Sequence, residues 1–326
     1  MHETMKAWVY ESYGVPADVM EQRELALPQI SESQVLIEVR AASVNPLDWH
    51  LMTGLPRFAR FSMGLSRPKR RVPGADVAGI VERVGAAVTR FKPGDEVFGE
   101  ISGSFAEYAS GGEGALVAKP ENVTFEQAAA VPVAGLTALQ GLRDWGGLEA
   151  GRRVLINGAS GGVGTYAVQI AKLLGAHVTG VCSTRNIEKA LALGADQVVD
   201  YTREDFTRLD EDFDVIFDGP GNRSLSALRR VMAPGAVHVQ VGGPKGNWIQ
   251  PIPFMVKMRL MARFLDFTAA GGIANSNEED LTQLSRWLAS GELESVIGRN
   301  CKLEELPDAL MDQGRFHAQG KVVVSL

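Results

Sequence analysis

Apolar residues recur with two different patterns along the chain, and the patterns divide it into two kinds of region. In roughly the first 125 residues, short β-like apolar runs are separated by turn signals such as Asn45-Pro46 and Pro73-Gly74. The runs are 6–10, 34–43, 79–84, 96–99 and 116–119. This pattern predicts an all-β module, a partly open barrel.

From Thr124 onward the pattern changes to an alternation of helices and strands. Thr124 is expected to cap a helical stretch that Pro132 interrupts. The strands that follow are predicted at 154–157, 178–182, 196–201, 214–218, 237–242 and 265–268. Six strands in βα alternation fit one doubly wound parallel sheet.

A charged amphipathic helix at 277–290 and a final strand at 321–326 end the chain. We expect the final strand to return to the β module, which makes that module discontinuous. The predicted domains are therefore 1–125 together with 270–326, and 126–269.

The junction between the strand at 154–157 and the next helix is rich in glycine. A strand, a glycine-rich turn, a helix and a second strand form a βαβ unit with a phosphate-binding turn. Gly161 lets the backbone approach a pyrophosphate, Gly164 lets helix and strand pack closely, and the helix N-terminus attracts the anion. The predicted contacts with a dinucleotide are Ala159, Ser160, Gly161, Gly162, Val163 and Gly164.

The end of the second strand of this unit distinguishes NADPH from NADH. An NAD site usually places Asp or Glu there to hold the ribose 2′-hydroxyl. Here Cys182 is followed by Ser183, Thr184 and Arg185, with Lys189 nearby, and no carboxylate stands at this place to repel a 2′-phosphate. Arg–phosphate contacts are strong charge-assisted hydrogen bonds. We therefore predict NADPH, with Ser183, Arg185 and Lys189 among its contacts.

Composition narrows the class of protein. The chain has 326 residues, 45% of them hydrophobic and 22% charged, as in an ordinary globular protein. A net charge of −6 does not indicate a basic surface for binding nucleic acid. Two cysteines cannot form a disulfide framework or a four-thiolate zinc site. With no apolar run long enough to span a bilayer and no signal peptide, we expect a cytoplasmic protein without stable membrane insertion.

Several segments, in order, resemble the medium-chain dehydrogenase/reductases, and in particular their zinc-free quinone oxidoreductase-like branch (the zeta-crystallin-like proteins). They are AASVNPLDWHLMTG (41–54), PGADVAGIVERVG (73–85), FKPGDEVFGE (91–100), GSFAEYA (103–109), AAAVPVAGLTAL (128–139), INGASGGVGTYAVQIAK (156–172), LGADQVVDY (193–201) and GKVVVSL (320–326). The resemblance implies a GroES-like β domain and a Rossmann domain, with the active site in the cleft between them. It also implies a homodimer.

The zinc-containing branch departs from this chain at its ligands. The resemblance would place a zinc-binding His at Ala75 and a thiolate near 43–45, where no Cys occurs. A catalytic zinc needs three protein ligands, and the five histidines form no ligand motif. We therefore expect no metal. His50 and Tyr108 lie in matched segments, and whether either takes part in catalysis stays open.

By resemblance, Asn45 is the best candidate for a donor near the nicotinamide and the acceptor oxygen. Asp48 belongs to the same motif and is expected to fix the loop, while Thr137 is expected near the nicotinamide end. Tyr201 is expected at the adenosine portion. Gly242 and Gly243 resemble positions where the backbone passes close to the nicotinamide side.

Without a metal to polarise a simple carbonyl, the hydride acceptor must delocalise the arriving charge itself. Quinones and α,β-unsaturated carbonyls do so, which predicts an NADPH-dependent reductase of these small molecules. Two alternatives stay open: a 2-alkenal or 2-enone reductase with incidental quinone activity, and a low-turnover NADPH-binding sensor or interaction protein.

Residues 55–72 depart from the shorter family pattern, since they combine apolar side chains with six basic ones and no acidic one. Three interpretations stay open: a mobile cap over a bulky acceptor, a patch drawn to anionic membrane surfaces, and a solvated loop with a few core anchors.

Overall fold

The computed structural model describes residues 3–242, 256, 260, 266–314 and 319–326. Its strands are β1 (Thr4–Tyr10), β2 (Met20–Ala26), β3 (Gln34–Val44), β4 (Asp76–Val84), β5 (Glu96–Glu100), β6 (Tyr108–Gly112), β7 (Leu116–Ala118), β8 (Arg153–Asn157), β9 (His177–Cys182), β10 (Gln197–Asp200), β11 (Phe213–Asp218), β12 (Met232–Gln240), β13 (Thr268–Ala270), β14 (Ile297–Lys302) and β15 (Lys321–Ser325).

The α-helices of the described residues are α1 (Pro16–Val19), α2 (Pro46–Thr53), α3 (Arg60–Met63), α4 (Phe125–Ala129), α5 (Pro132–Gln140), α6 (Gly162–Leu173), α7 (Ile187–Ala192), α8 (Leu225–Leu228), α9 (Glu278–Ser290) and α10 (Leu306–Gly314). None of these helices is both long enough and apolar enough to cross a bilayer.

The first compact unit, Met1–Ala134 with Ser276–Leu326, is the predicted β module. Its main sheet has the order β14-β15-β3-β4-β5-β7, with β6 also paired to β3, and β1 and β2 form a separate pair. β15 lies antiparallel to β3, so the end of the chain returns to this module as expected. Val35, Ile37 and Val77 are among the fully buried residues of its core.

Strand β2 was not predicted from the sequence. Its residues, MEQRELA, are mostly polar and exposed, and the strand pairs with β1 in a separate two-stranded sheet. Without apolar alternation, nothing in the local pattern indicates a strand.

The second unit, Gly135–Asn275, contains the predicted doubly wound sheet. The strand order is β10-β9-β8-β11-β12-β13, and every neighbouring pair is parallel. The sixth strand is Thr268–Ala270 instead of 265–268, and position 265 lies outside the described residues. In this order the chain reverses direction across the sheet between β8 and β11, where α/β folds bind ligands.

The boundaries between the units lie later in the chain than the sequence suggested. Thr124 caps α4 as predicted, accepting a hydrogen bond from the Gln127 N–H at 3.2 Å. α4 packs on β3, β4 and β5, and the Val133 N–H donates to Asp76 Oδ1 at 2.8 Å. The segment up to Ala134 therefore belongs to the β module. At the other boundary, the Asn275 N–H donates to Gln140 Oε1 at 2.9 Å, which keeps 270–275 in the Rossmann unit.

Candidate active site

The glycine-rich turn after β8 is folded onto β9 by backbone hydrogen bonds. Gly158 has a φ of +90°, a conformation that favours glycine. The Gly158 and Ala159 N–H groups donate to the Val181 carbonyl at 3.1 and 3.0 Å. Gly161 caps α6, whose first-turn N–H groups have no acceptor within the helix. The turn thus presents N–H donors and a helix dipole to an anion.

Gly161 and Gly164 are glycine for different reasons. A Cβ on Gly164 would collide with the backbone carbonyl of Gly158, so this glycine permits the close packing of helix on turn. A Cβ on Gly161 would meet only the Gly158 oxygen, at 3.4 Å, and the Gly161 backbone is ordinary extended chain. No contact among the described residues therefore requires glycine at 161. The open space there suits the backbone approach of a pyrophosphate.

The other predicted contacts of this turn differ in accessibility. Ala159 is fully buried, while Ser160, Gly162 and Val163 are half-buried. Buried Asn186 donates from Nδ2 to both Ser160 Oγ and Ser183 Oγ, each at 3.1 Å. Asn186 thereby joins the turn to the end of β9. The sequence carried no signal for Asn186, because its partners come from separate segments.

Asp200 corrects the expectation that no carboxylate stands at the end of β9. It arrives from the neighbouring strand β10, where it pairs in register with Cys182. Its carboxylate accepts hydrogen bonds from the Thr184 hydroxyl at 2.5 Å and the Thr202 hydroxyl at 2.7 Å. These hydrogen bonds lower the pKa of Asp200, and the bond from Thr184 contributes most. Asp200 is therefore ionised at neutral pH. Its acceptor positions are largely taken by the two threonines.

Cationic side chains follow the ends of β9 and β10 in the sequence. Arg185 and Lys189 are exposed next to the end of β9, and the charge of exposed Arg203 contributes to the low pKa of Asp200. Tyr201 is 55% exposed, and its N–H donates to the Cys182 carbonyl at 3.0 Å. An aromatic ring and several cations therefore stand at the strand ends where the adenosine portion was expected.

The remaining candidates of the Rossmann unit are less informative. Thr137 is half-buried on α5. A Cβ on Gly242 would collide with the Gly219 carbonyl, so packing between neighbouring strand ends already requires glycine there. Gly243 lies outside the described residues.

The β module holds a buried polar cluster formed by Ser43, Asn45, Asp48, Asp76 and Lys321. Lys321, only 3% exposed, donates from Nζ to Asn45 Oδ1 at 2.5 Å and to Asp76 Oδ2 at 3.1 Å. Ser43 Oγ also donates to Asp76 Oδ2, at 2.5 Å. The buried Asp76 carboxylate is thus compensated by one ammonium group and several neutral donors. Sequence reasoning missed Asp76 and Lys321 as members.

Asn45 is held inside this cluster. It is 2% exposed, and its Nδ2 donates to Asp76 Oδ2 at 2.8 Å, while a second contact to the Ser43 carbonyl is long, at 3.4 Å. With Oδ1 bound to Lys321, one amide hydrogen of Asn45 is weakly engaged. That hydrogen is what the side chain has left to offer a ligand.

Asp48 closes the start of α2. Its Oδ2 accepts from the Asn45 N–H at 2.8 Å, and its buried Oδ1 has no hydrogen-bond partner among the residues that the structure describes. Burial raises the pKa of Asp48 to about 7, opposed by the hydrogen bond from Asn45. Burial and the charge of Asp76 likewise raise the pKa of Glu100 to about 7.

His50 and Tyr108 occupy distinct environments. His50 Nδ1 lies 3.0 Å from the Leu55 carbonyl, and burial lowers its pKa, so the ring is neutral at pH 7. Tyr108 packs against a small apolar cluster that includes Met5 and Ala106. Burial, with nearby carboxylates, raises the pKa of Tyr108, so its phenol keeps its proton.

Two family models match the chain: the alcohol dehydrogenase GroES-like domain at residues 31–141 and the zinc-binding dehydrogenase domain at 193–324. A 2-methylene-furan-3-one reductase of Solanum lycopersicum is 36% identical over 98% of this chain and 79% of its own length. An NADPH-dependent alkenal/one oxidoreductase of Arabidopsis thaliana is 35% identical over the same shares. The quinone oxidoreductase structure of Coxiella burnetii superposes with a TM-score of 0.87, at 28% identity over 99% of each chain.

The chain belongs to the quinone oxidoreductase-like medium-chain dehydrogenase/reductases. Like its relatives in this family, it is an oxidoreductase that binds a nicotinamide dinucleotide. The predicted GroES-like and Rossmann folds are confirmed.

This family member differs from the zinc enzymes at the ligand positions. Ala75, which is buried, stands where the resemblance would place a zinc-binding His, and Ser43, Val44 and Asn45 offer no thiolate. In the part of the chain that the structure describes, no three His, Cys, Asp or Glu side chains are grouped to hold a metal ion.

Proposed function

We propose that the protein is an NADPH-dependent reductase that delivers a hydride to a quinone or an α,β-unsaturated carbonyl without a metal. The proposal rests on the free space beside the Gly161 Cα, at the N-terminus of α6. The relatives of this chain are named as quinone, alkenal and furanone reductases. The turn fits a pyrophosphate, and NADPH supplies the hydride when bound.

The protein's own groups orient the cofactor and bind the acceptor. The N–H groups of Gly162 and Val163 would bind the phosphates, since they lie in the first turn of α6. In the β module, the ammonium of Lys321 polarises the Asn45 amide by binding its oxygen. This contact strengthens the remaining amide N–H as a donor.

A neutral donor of this kind favours a conjugated acceptor. In a saturated aldehyde, the hydride's charge concentrates on one oxygen, and one neutral donor typically supplies only about 2.7–4 kcal/mol of barrier lowering. In a quinone or an enone the charge spreads as it forms. Protonation can then follow from water.

The decisive assay compares NADPH oxidation with a 2-alkenal, its saturated analogue of equal chain length, and a quinone. We expect kcat/KM for the conjugated acceptors to exceed that for the saturated aldehyde by orders of magnitude. Comparable values for the alkenal and its saturated analogue would overturn the proposal. Turnover of the alkenal alone would favour the specific 2-alkenal reductase, and negligible turnover of all three would favour a binding protein.

The preference for NADPH rests on Ser183, Arg185 and Lys189, against the opposing charge of Asp200. We expect Arg185→Ala to weaken NADPH binding by roughly 10- to 150-fold, since a charged hydrogen bond is worth about 1.5–3 kcal/mol. NADH binding should change little. Arg208→Ala, at an exposed arginine further along the chain, is the control. Equal losses for both cofactors in a fluorescence titration would refute this assignment of the 2′-phosphate.

The homodimer stays a prediction, which sedimentation velocity tests.

A further inference from the structure

Residues 55–72, here called the basic loop, expose two large apolar side chains. Phe61 is 79% exposed and Leu65 is 67% exposed, while Phe58 and Met63 of the same loop are half-buried. A single exposed Leu is ordinary, but the loop exposes two large apolar side chains within five residues, and Phe61 and Leu65 are together called the apolar tip. Phe61 and Leu65 are thus the most exposed of the large apolar side chains in this loop.

Specific contacts hold the loop in shape. Arg60 donates to the Gly54 and Thr53 carbonyls at 3.0 and 3.2 Å, and its guanidinium stacks over the Tyr13 ring at 4.3 Å from the centroid. The Tyr13 hydroxyl donates to the Gly64 carbonyl at 2.7 Å. A loop fixed in this way loses little conformational entropy when its tip binds a surface.

Positive charge accompanies the apolar tip. The Lys69 N–H donates to the Met63 carbonyl at 2.9 Å, which folds the second half of the loop back onto the first. Arg67 and Lys69 are exposed, and neither forms an ion pair with any residue that the structure describes, whereas Arg71 pairs with Glu11 at 3.6 Å. The loop contains six basic residues and no acidic one, in a chain whose net charge is −6.

From this arrangement we propose that the basic loop docks the protein on an anionic lipid surface. The apolar tip would enter the boundary between headgroups and acyl chains, and Arg67, Lys69 and exposed Arg70 would meet lipid phosphates. Charge complementarity carries this choice of partner, because a lipid surface offers dense negative charge directly above an apolar layer. The proposal concerns binding at the surface and does not depend on the reaction the protein catalyses.

The test is co-sedimentation of the full-length protein with vesicles. Vesicles of phosphatidylcholine containing phosphatidylglycerol should bind it, with affinity falling as salt rises, and vesicles of phosphatidylcholine alone should bind it weakly. Arg67→Glu/Lys69→Glu should lower the partition coefficient at least tenfold, since each cation near such a surface contributes about 1 kcal/mol. Phe61→Ser/Leu65→Ser should also lower it about tenfold.

Matched controls separate the loop from general effects. Arg83→Glu/Arg286→Glu reverses two exposed cations on β4 and α9, and Leu191→Ser removes an exposed apolar residue of α7. All variants change exposed side chains and should unfold at the wild-type temperature. Equal loss in loop and control variants, or equal binding to neutral and anionic vesicles, would overturn the proposal. A change of sedimentation coefficient in the Phe61/Leu65 variant without any change in vesicle binding would do so too, and would assign the tip to a contact between copies.

Discussion

In the Rossmann unit, the polar site after β8 is made of backbone within a few consecutive residues, and the N–H groups in the first turn of α6 have no acceptor within the helix. In the β module, the polar cluster is made of side chains from β3, β4, β15 and the start of α2, and Lys321 binds Asn45 from 276 positions away. The first site can bind a ligand as it stands, and forming it costs little folding free energy. The second contains the buried ion pair of Asp76 and Lys321, in which each charge is stabilised only while the other is present. The contrast implies that a substitution at Gly161 alters binding more than stability, whereas the loss of Lys321 alters stability.

The largest expected effect is on the cluster. Lys321→Met removes the ammonium that compensates Asp76, and breaking a buried pair from one side typically costs about 3–5 kcal/mol. Urea unfolding of the full-length protein should show this loss in the free energy of unfolding. Lys6→Met, at an exposed lysine of β1, should cost little. Adding Asp76→Asn to Lys321→Met should recover part of the stability, because the uncompensated charge is then removed. A loss below 1 kcal/mol for Lys321→Met would show that the ion pair of Lys321 and Asp76 does not stabilise the cluster substantially.

The next prediction concerns the turn and uses its two glycines as a matched pair. Gly161→Val should leave the unfolding temperature near the wild-type value and weaken both NADPH and NADH by on the order of 100-fold, since it obstructs charged hydrogen bonds to the shared pyrophosphate. Gly164→Val should lower the unfolding temperature, because its Cβ has no room beside Gly158. Calorimetry and cofactor titration on both variants give the comparison. If Gly161→Val lowers stability as much as Gly164→Val, both glycines serve packing alone.

The same contrast explains which features were predictable from the sequence. The strand–turn–helix unit, the order of its elements and the helix at 277–290 depend on local periodicity and caps, so they could be predicted. Asn277 indeed caps α9, accepting from the Asp280 N–H at 2.9 Å. Gly161 and Gly164 could be assigned roles because glycine has a specific backbone meaning in that context.

Other features depend on which strands become neighbours. Asp200 reaches the end of β9 only because β10 pairs with it in parallel, and a search limited to the end of one strand overlooks it. Lys321 meets Asp76 because β15 and β4 lie on either side of β3. No local pattern of charge or hydrophobicity encodes such pairings, so the cluster in the β module could not be derived residue by residue.

The smallest expected effect is on the pH dependence of stability, and it tests whether the cluster is as closed as its geometry indicates. A carboxyl whose pKa is raised to about 7 in the folded protein keeps a proton that the unfolded chain has already released above pH 4. The folded state is therefore favoured at low pH, and stability falls as pH rises from about 4 to 7.

Between pH 6 and 8, Asp48 alone should cost on the order of 1 kcal/mol, since one pKa unit corresponds to 1.36 kcal/mol. Asp48→Asn keeps an oxygen to accept from the Asn45 N–H and cannot ionise, so its stability should change less over this interval. Its absolute stability can differ at every pH, because the new amide group has no partner at the position of Oδ1; the slope is what matters. Glu100→Gln should flatten the remaining slope, and Asp308→Asn, at an exposed carboxyl of α10, should leave it unchanged. Parallel curves for wild type and Asp48→Asn, measured by urea unfolding at several pH values, would mean that Asp48 is solvated and ionised throughout, and that the cluster is open to water.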